Sequence, residues 1–206
     1  DLGQKFPTSY KIQNFLGICA AQSGNLALSE SAFRNTIALR KDSAEGHNNL
    51  GNILSAQGKL HKAIEHFTSA LSINPLFPQA HNNLANALMQ QSKISEAEKY
   101  YRKAVEINPN YSEALNNLGY AVQRLGKVRE AEKYYKKAIE INPNYAEAYN
   151  NLGNTKKIIH EREEAIFCYQ KAIELKNNNI EALISLSTIL KEDRNYKDLI
   201  EVYKSI

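Results

Sequence analysis

Much that would mark a particular chemistry is missing from this 206-residue chain. It has two cysteines, Cys19 and Cys168, too far apart in the periodicity described below for the roughly 7 Å Cα separation that a disulfide allows. They read as packed thiols, a usage compatible with a reducing compartment. Glycine and proline are scarce, 9 and 5 residues, and with 43% apolar residues the composition suits helices. No apolar run approaches the roughly 18 residues that span a bilayer, and no secretory signal is present, so no membrane insertion is expected. The formal net charge is only +4, and no basic patch gathered on one face is visible, which argues against a dedicated nucleic-acid surface, so no nucleic-acid partner is expected. A nucleophile elbow, a phosphate loop, paired catalytic carboxylates and a zinc signature are also missing. His61, His66 and His160 have no partner ligands at metal-site spacing. No cofactor, no metal and no catalysis within these residues are therefore expected.

What the chain has is a period. PQAHNNLANALMQQSKISEAEKYYRKAVEINPNY, from Pro78, is followed directly by SEALNNLGYAVQRLGKVREAEKYYKKAIEINPNY, ending at Tyr145. These are two 34-residue copies of one unit, with no residue inserted or lost. Self-similarity at that spacing marks a repeat architecture in which one supersecondary unit stacks on copies of itself. Extending the register divides the chain into 10–43, 44–77, 78–111, 112–145, 146–179 and a truncated 180–206, with 1–9 as the tail of a preceding repeat. The whole is expected to be one quasi-linear domain.

The invariant positions explain themselves. Position 7 is Leu in every repeat, from Leu16 to Leu186, and position 8 is always small: Gly17, Gly51, Ala85, Gly119, Gly153, Ser187. Position 24 carries a large ring: Phe33, Phe67, Tyr101, Tyr135, Tyr169, Tyr203. Apolar residues at 4, 7, 8 and 11, then at 20, 24, 27 and 28, keep the rhythm of two helices packed on one face. Small residues at 8, 20 and 27 let helix axes approach while the ring at 24 fills the space between them. Gly24, Gly58 and Gly126 end the first helix of their repeats, because that stop needs a left-handed residue. Pro75, Pro109 and Pro143 end the second, so Asn-Pro-Asn at 108–110 and 142–144 is a turn and each repeat is a helical hairpin. The first repeat is degenerate, with Lys41 in the proline position. In the fifth, His160 replaces the glycine beside a run of charges, which predicts a less tidy corner.

Aromatic, L-G, aromatic, Ala, aromatic and Pro at these offsets resemble the tetratricopeptide repeat. The first aromatic position departs from it, holding His47, His81, Leu115 and Tyr149, and the chain has no Trp. The resemblance implies an all-α, right-handed superhelical solenoid of antiparallel helix pairs. It also implies a concave groove lined by the first helices, with positions 2, 5, 6, 9, 12 and 13 facing it.

On that face lies a column of amides. Position 5 is Asn14, Asn48, Asn82, Asn116 and Asn150; position 6 is Asn49, Asn83, Asn117 and Asn151; position 9 is Asn52, Asn86 and Asn154. Asn disfavours helix interiors because its side chain competes for the backbone, so two or three per helix call for a reason. An amide carries both donors and an acceptor, which suits the main chain of an extended peptide. The alternative reading is that some of these amides bond neighbouring repeats and tie the stack together. The N-L-G/A-N wording further resembles the array of O-linked N-acetylglucosamine transferase, in which the Asn at the place of Asn49, Asn83, Asn117 and Asn151 is implied to hold threaded substrate backbone. Phe15 and Ser185 interrupt that column at its ends. The family's carboxylate clamp is absent, since Glu45, Glu113, Glu147 and Glu181 at position 2 would repel a C-terminal carboxylate.

The expected function is a non-enzymatic scaffold that binds a protein or peptide segment in an Asn-lined groove. Selectivity would come from positions 12 and 13: Met89, Gln90, Gln123, Arg124, Lys157 and Ile158. Two other readings stand beside it: the substrate-recruiting arm of a larger glycosyl- or sulfotransferase, and a scaffold that self-associates through Leu199, Ile200 and Ile206. The chain opens and stops inside a repeat and is read as a piece of a longer protein, with a cytoplasmic location expected. His47 and His81 are expected to be core spacers. The paired charges at positions 25 and 26, Arg102, Lys103, Lys136 and Lys137, are expected to form a solvated outer face.

Overall fold

A computed structural model describes residues 9–192. Among the described residues the regular structure is entirely α-helical, and the helices divide between two compact units, 1–109 and 110–206. The first unit holds three hairpins: α1 (Tyr10–Gln22) with α2 (Leu26–Leu39), α3 (Ala44–Ala56) with α4 (Leu60–Ile73), and α5 (Pro78–Gln90) with α6 (Ile94–Ile107). The second holds α7 (Ser112–Arg124) with α8 (Val128–Ile141), α9 (Ala146–Ile158) with α10 (Arg162–Leu175), and α11 (Ile180–Glu192). Within each unit a helix packs most closely on its hairpin partner and next on the first helix of the following hairpin. First helices also touch one another along the stack, α1 on α3 on α5, and α7 on α9 on α11. The preceding tail and the second half of the sixth repeat, with Leu199, Ile200, Tyr203 and Ile206, lie outside the described residues.

The hairpin is set by a ring lying on a bare backbone. A Cβ placed on Gly51 would stand 2.5 Å from the Phe67 ring, and one on Gly119 or Gly153 would stand 2.7 Å from Tyr135 or Tyr169. Gly17 meets Phe33 the same way, at 2.6 Å. These rings are at most 2% exposed. Around them Ala63, Ala70, Ala131, Ala138, Ala165 and Ala172 are fully buried, so each ring is enclosed by small side chains. The third hairpin accommodates Ala85 at the same position, with Tyr101 still buried.

The corner after each first helix has one geometry throughout. The residue past the helix is left-handed: Gly24 (φ 77), Gly58 (φ 74), Ser92 (φ 61), Gly126 (φ 80) and His160 (φ 63). The next backbone N–H then reaches back to a carbonyl five residues earlier, as in Lys59 to Leu54 at 2.8 Å and Glu161 to Lys156 at 2.9 Å. The looser corner predicted at His160 is therefore not found. Two things hold it: this cap, and a charge cluster beneath it. Lys156, 3% exposed, contacts the carboxylates of Glu132 at 2.8 Å, Glu164 at 2.6 Å, and Glu161. Arg129 bridges Glu132 and Glu161, and Lys136 contacts Glu132 at 2.8 Å. Burial works against the Lys156 ammonium, yet the three carboxylates hold its pKa above the usual lysine value. Burial likewise opposes ionisation of Glu132, but the Lys136 and Lys156 ammoniums win and hold its pKa down at about 2.

The Asn-Pro-Asn turn is confirmed at 142–144, where Asn142 Oδ1 accepts the N–H of Asn144 at 3.2 Å. In the fifth repeat Asn179 takes over, capping α11 by accepting from the N–H of Ala182 at 3.2 Å. The outer face is solvated and paired as expected, with Arg102 on Glu98 at 2.7 Å and Lys103 on Glu106 at 2.8 Å. One expectation fails: Cys168 is buried, but Cys19 is exposed. Its counterparts Ile53 and Thr155 are buried beneath the preceding hairpin, and among the described residues α1 has none before it. Burial pushes the Cys168 thiol up to about 11.

Two tests follow from this packing. Replacing Gly119 by Val forces a branched side chain into the Tyr135 ring and should cost about 2 kcal/mol in denaturant unfolding; an unchanged midpoint would remove the ring-on-glycine account. Because the folded pKa of Glu132 lies below its ordinary value of 4.5, its contribution is present above that pH and is lost as pH falls towards 2. Stability measured from pH 5 downwards should decline, and Glu132→Gln should decline less steeply. Parallel slopes would show that the cluster does not contribute through Glu132.

Candidate functional site

Taken together, the first helices place their amides at three depths. Position 5 points at the next hairpin and position 6 lies beside it, turned further outward. Position 9 comes one turn later, over the ring at position 24. The side chains accordingly differ in burial: Asn48, Asn82, Asn116 and Asn150 are at most 5% exposed. Asn49, Asn83, Asn117 and Asn151 are half-buried, and Asn52 is exposed.

The position 5 amides join consecutive repeats. Asn14 Nδ2 donates to Glu45 Oε1 at 3.1 Å, and its Oδ1 accepts from Asn49 Nδ2 at 3.3 Å. Asn116 repeats the arrangement, donating to Glu147 at 3.2 Å and accepting from Asn151 Nδ2 at 3.0 Å. Asn48 accepts from Asn83 Nδ2 at 3.0 Å, and Asn150 donates to Glu181 at 3.2 Å. One residue thus receives an amide from position 6 of the following repeat and gives one to the glutamate at position 2. The glutamates that disfavour a carboxylate ligand are the acceptors that complete this rung.

Position 9 serves the ring. Tyr101 donates its hydroxyl to Asn86 Oδ1 at 2.6 Å, and Tyr169 donates to Asn154 Oδ1 at 2.8 Å. Where position 9 is Tyr120, the Tyr135 hydroxyl goes to Gln123 Oε1 at 2.9 Å instead. Where the ring is Phe67, which has no hydroxyl, Asn52 stays exposed. Burial raises the Tyr169 phenol to about 12, so the bonded hydroxyl is neutral at any physiological pH.

The position 6 amides differ from both. Asn49, Asn83 and Asn151 each give one N–H to the rung behind them. Each keeps a carbonyl oxygen and a second N–H with no bond inside the protein, on a half-exposed side chain. Clefts open beside these residues. In the first unit a cavity of about 810 Å³ is lined by Tyr10, Asn14, Glu45, Asn48, Asn49 and Phe77, among others. In the second, one of about 520 Å³ is lined by Asn117, Tyr120, Glu147, Asn150, Asn151 and Glu181, among others. Of the positions expected to set selectivity, Gln90, Arg124, Lys157 and Ile158 are exposed, with the Arg124 guanidinium over the Tyr120 ring at 5.8 Å. Gln123 is committed to Tyr135.

Two histidine placements go beyond the sequence reading. His81 is buried, bonds the Pro75 carbonyl through Nε2 at 2.9 Å and stacks on Tyr100. His47 Nδ1 lies 3.0 Å from His66 Nδ1, a pairing that spacing did not suggest. Burial lowers the pKa of both rings, favouring a neutral pair in which one donates to the other. Among the described residues no group of three or more His, Cys, Asp or Glu is placed to hold a metal ion.

The same arrangement of hairpins is known elsewhere. A family profile described as tetratricopeptide repeat matches residues 76–144 and 111–178, and one described as TPR repeat matches 51–92. No curated protein matches the sequence significantly. Among solved structures the chain is similar to YrrB, described as a TPR protein with an unusual peptide-binding site. The TM-score is 0.68 at 21% identity, over 89% of this chain and 95% of that one. PilF of Pseudomonas aeruginosa aligns with a TM-score of 0.86 at 19% identity, over 94% of this chain and 88% of its own. A chain of the APC/C hetero-tetramer Cut9-Hcn1 reaches 0.87 at 15% identity, covering 100% of this chain and 41% of that one. At these identities the likeness is one of fold.

The depth of each amide can be tested by truncation. Asn116→Ala removes a buried group bonded to Glu147 and Asn151 and should cost about 2 kcal/mol in urea unfolding. Asn52→Ala, at an exposed site, should stay within about 0.5 kcal/mol of the parent. Equal costs would show that position 5 does not tie the repeats.

Proposed function

The chain belongs to the tetratricopeptide repeat family, and from that premise we propose that it is an interaction module whose Asn-lined clefts bind an extended segment of a partner protein. The observation that carries this reading is the half-used amide at position 6. Asn49, Asn83 and Asn151 are each anchored through one N–H, which fixes the rotamer, while the carbonyl oxygen and the other N–H remain unbonded. A donor and an acceptor held in place are complementary to the C=O and N–H of an extended main chain, and prior anchoring reduces the ordering cost of binding. Position 5 then acts as a positioning residue rather than a ligand contact. Position 9 holds the ring, except at Asn52, which is available to a ligand. Side-chain selectivity falls to the exposed residues at positions 12 and 13, chiefly Gln90, Arg124, Lys157 and Ile158.

The test is selection of binders from a displayed library of unstructured 12-residue peptides, followed by affinity measurement on the Asn83, Asn117, Asn151 triple alanine variant. The substitutions at Asn83 and Asn151 each also remove a bond between repeats, so some loss of thermal stability, about 1 kcal/mol per bond, is expected. Titrations run well below both melting temperatures should show binding weakened at least about tenfold, with helical circular dichroism retained. If stability falls while affinity is unchanged, the amide column serves only the stack and the proposal fails.

A further inference from the structure

Two imidazoles meet across the second hairpin. His47 stands on α3 one turn before Gly51, and His66 on α4 directly precedes Phe67, so the pair adjoins a ring-on-glycine contact. Their Nδ1 atoms are 3.0 Å apart with ring centroids at 5.2 Å, so the rings meet nitrogen to nitrogen rather than face to face. In the other hairpins the equivalent positions hold Gln13 and Ala32, His81 and Tyr100, Leu115 and Tyr134, and Tyr149 and Cys168. The paired imidazoles are confined to this one.

Which nitrogen carries a proton follows from the surroundings. The Lys41 main chain accepts a hydrogen bond from the His47 ring, as the Pro75 carbonyl bonds Nε2 of His81 one repeat on. A neutral imidazole has one N–H, so the His47 Nδ1 facing His66 is an acceptor and His66 Nδ1–H is the donor. One added proton is accommodated at His66 Nε2 and leaves that bond in place. A second has only His47 Nδ1 to go to, and it sets two N–H groups and two positive charges against each other at 3.0 Å. The bond is then lost.

Neighbouring charges do not relieve this. The other titratable groups of the helices packed around the pair are Tyr10, Lys11 and Cys19 on α1, Glu30 and Arg34 on α2, Glu45 on α3, His61, Lys62 and Glu65 on α4, and His81 on α5. Arg34 opposes a proton on His66 and Glu65 favours one. Glu30 is taken up by Arg34 and Lys59, and Glu45 by Asn14. Burial is the largest influence on both rings, and it favours the neutral form.

We propose that this pair is an acid-sensitive latch: neutral, it ties α3 to α4; doubly protonated, it releases them and loosens the cavity of about 810 Å³ that Glu45, Asn48 and Asn49 on α3 help to line. Both folded pKa values lie below the ordinary 6.5, so the unfolded chain takes up protons first. The contribution of the latch is therefore complete above that pH and is lost as pH falls below it. This window lies above that of Glu132, whose ordinary value is 4.5. The latch operates whether or not a peptide binds.

Amide hydrogen exchange in the full chain, corrected for intrinsic rate, reads the latch directly. From about pH 7.5 to about pH 5, protection of α3 and α4 should fall about fivefold, the weight of one hydrogen bond, while that of α7 and α8 should hold. His66→Tyr installs the residue of the third hairpin and should abolish the fall. His47→Leu, which installs that of the fourth, should do so from the other side. The imidazole ¹⁵N signals of the parent supply a readout free of any variant. At neutral pH His47 should be protonated on Nε2 and His66 on Nδ1, and the two rings should titrate in coupled steps. The latch is overturned if α3 and α4 protection does not change with pH, if it falls as far in either variant, if α7 and α8 fall with it, or if the rings titrate independently.

Discussion

A ring laid against a helix with no side chain beneath it is the constraint on which the rest of each unit depends. Phe67 on Gly51, Tyr135 on Gly119 and Tyr169 on Gly153 bring the two helices of these hairpins so close that a Cβ on the glycine would stand 2.5 to 2.7 Å from the ring, while the third hairpin accommodates Ala85. Because the ring is buried among alanines, the second helix cannot rotate without opening a void. With the hairpin held, the first helix of the next repeat finds one seat against it. The side chains at positions 2, 5 and 6 of neighbouring repeats then arrive within bonding distance. The amide rungs are thus a consequence of the ring-on-glycine contact.

The same contact explains how polar residues survive inside a packed stack. Tyr101 and Tyr169 bring hydroxyls into the core, and each finds an Asn one helix away to accept it; where the ring is Phe67 the corresponding Asn52 is left outside. The Lys156 cluster works on the same principle at a corner. A buried ammonium is tolerable because three carboxylates meet it. On the amide ladder Asn150 is the exception, a buried acceptor with Ser185 where the donor Asn would stand, and Gln57 Oε1, His81 Nδ1 and Gln91 Nε2 are likewise unmet elsewhere. Among the described residues the ladder is otherwise without a buried unpartnered amide atom.

Repetition made the hairpins legible before any coordinates. The 34-residue period, the small residue at position 8, the ring at position 24 and the proline turns all state local rules that hold whatever surrounds them. His160 misled for an equally local reason. A glycine there is the usual way to reach the left-handed region, but histidine also adopts it when the cap and the charges around it compensate. Cys19 misled because burial at its position is conferred by a neighbouring hairpin.

By itself the sequence determined the period, the helical hairpin and the family, because each follows from the spacing of apolar, small and turn residues along one chain. It also determined that amides recur on the first helices, and that no catalytic or phosphate-binding motif interrupts them. Only the tertiary structure decided what those amides do, since their partners lie 31 or 35 residues away, on the adjoining repeat. Position 5 became a tie, position 9 a support for the ring, and Asn49, Asn83 and Asn151 at position 6 donors of one N–H to that tie, although all three positions read alike as Asn. The pairing of His47 with His66 and the unmet oxygen of Asn150 were decided there as well. Hydrogen bonds are directional and short-ranged, so which polar atom is satisfied depends on how repeats stack, and that is settled by packing between hairpins rather than by order along the chain.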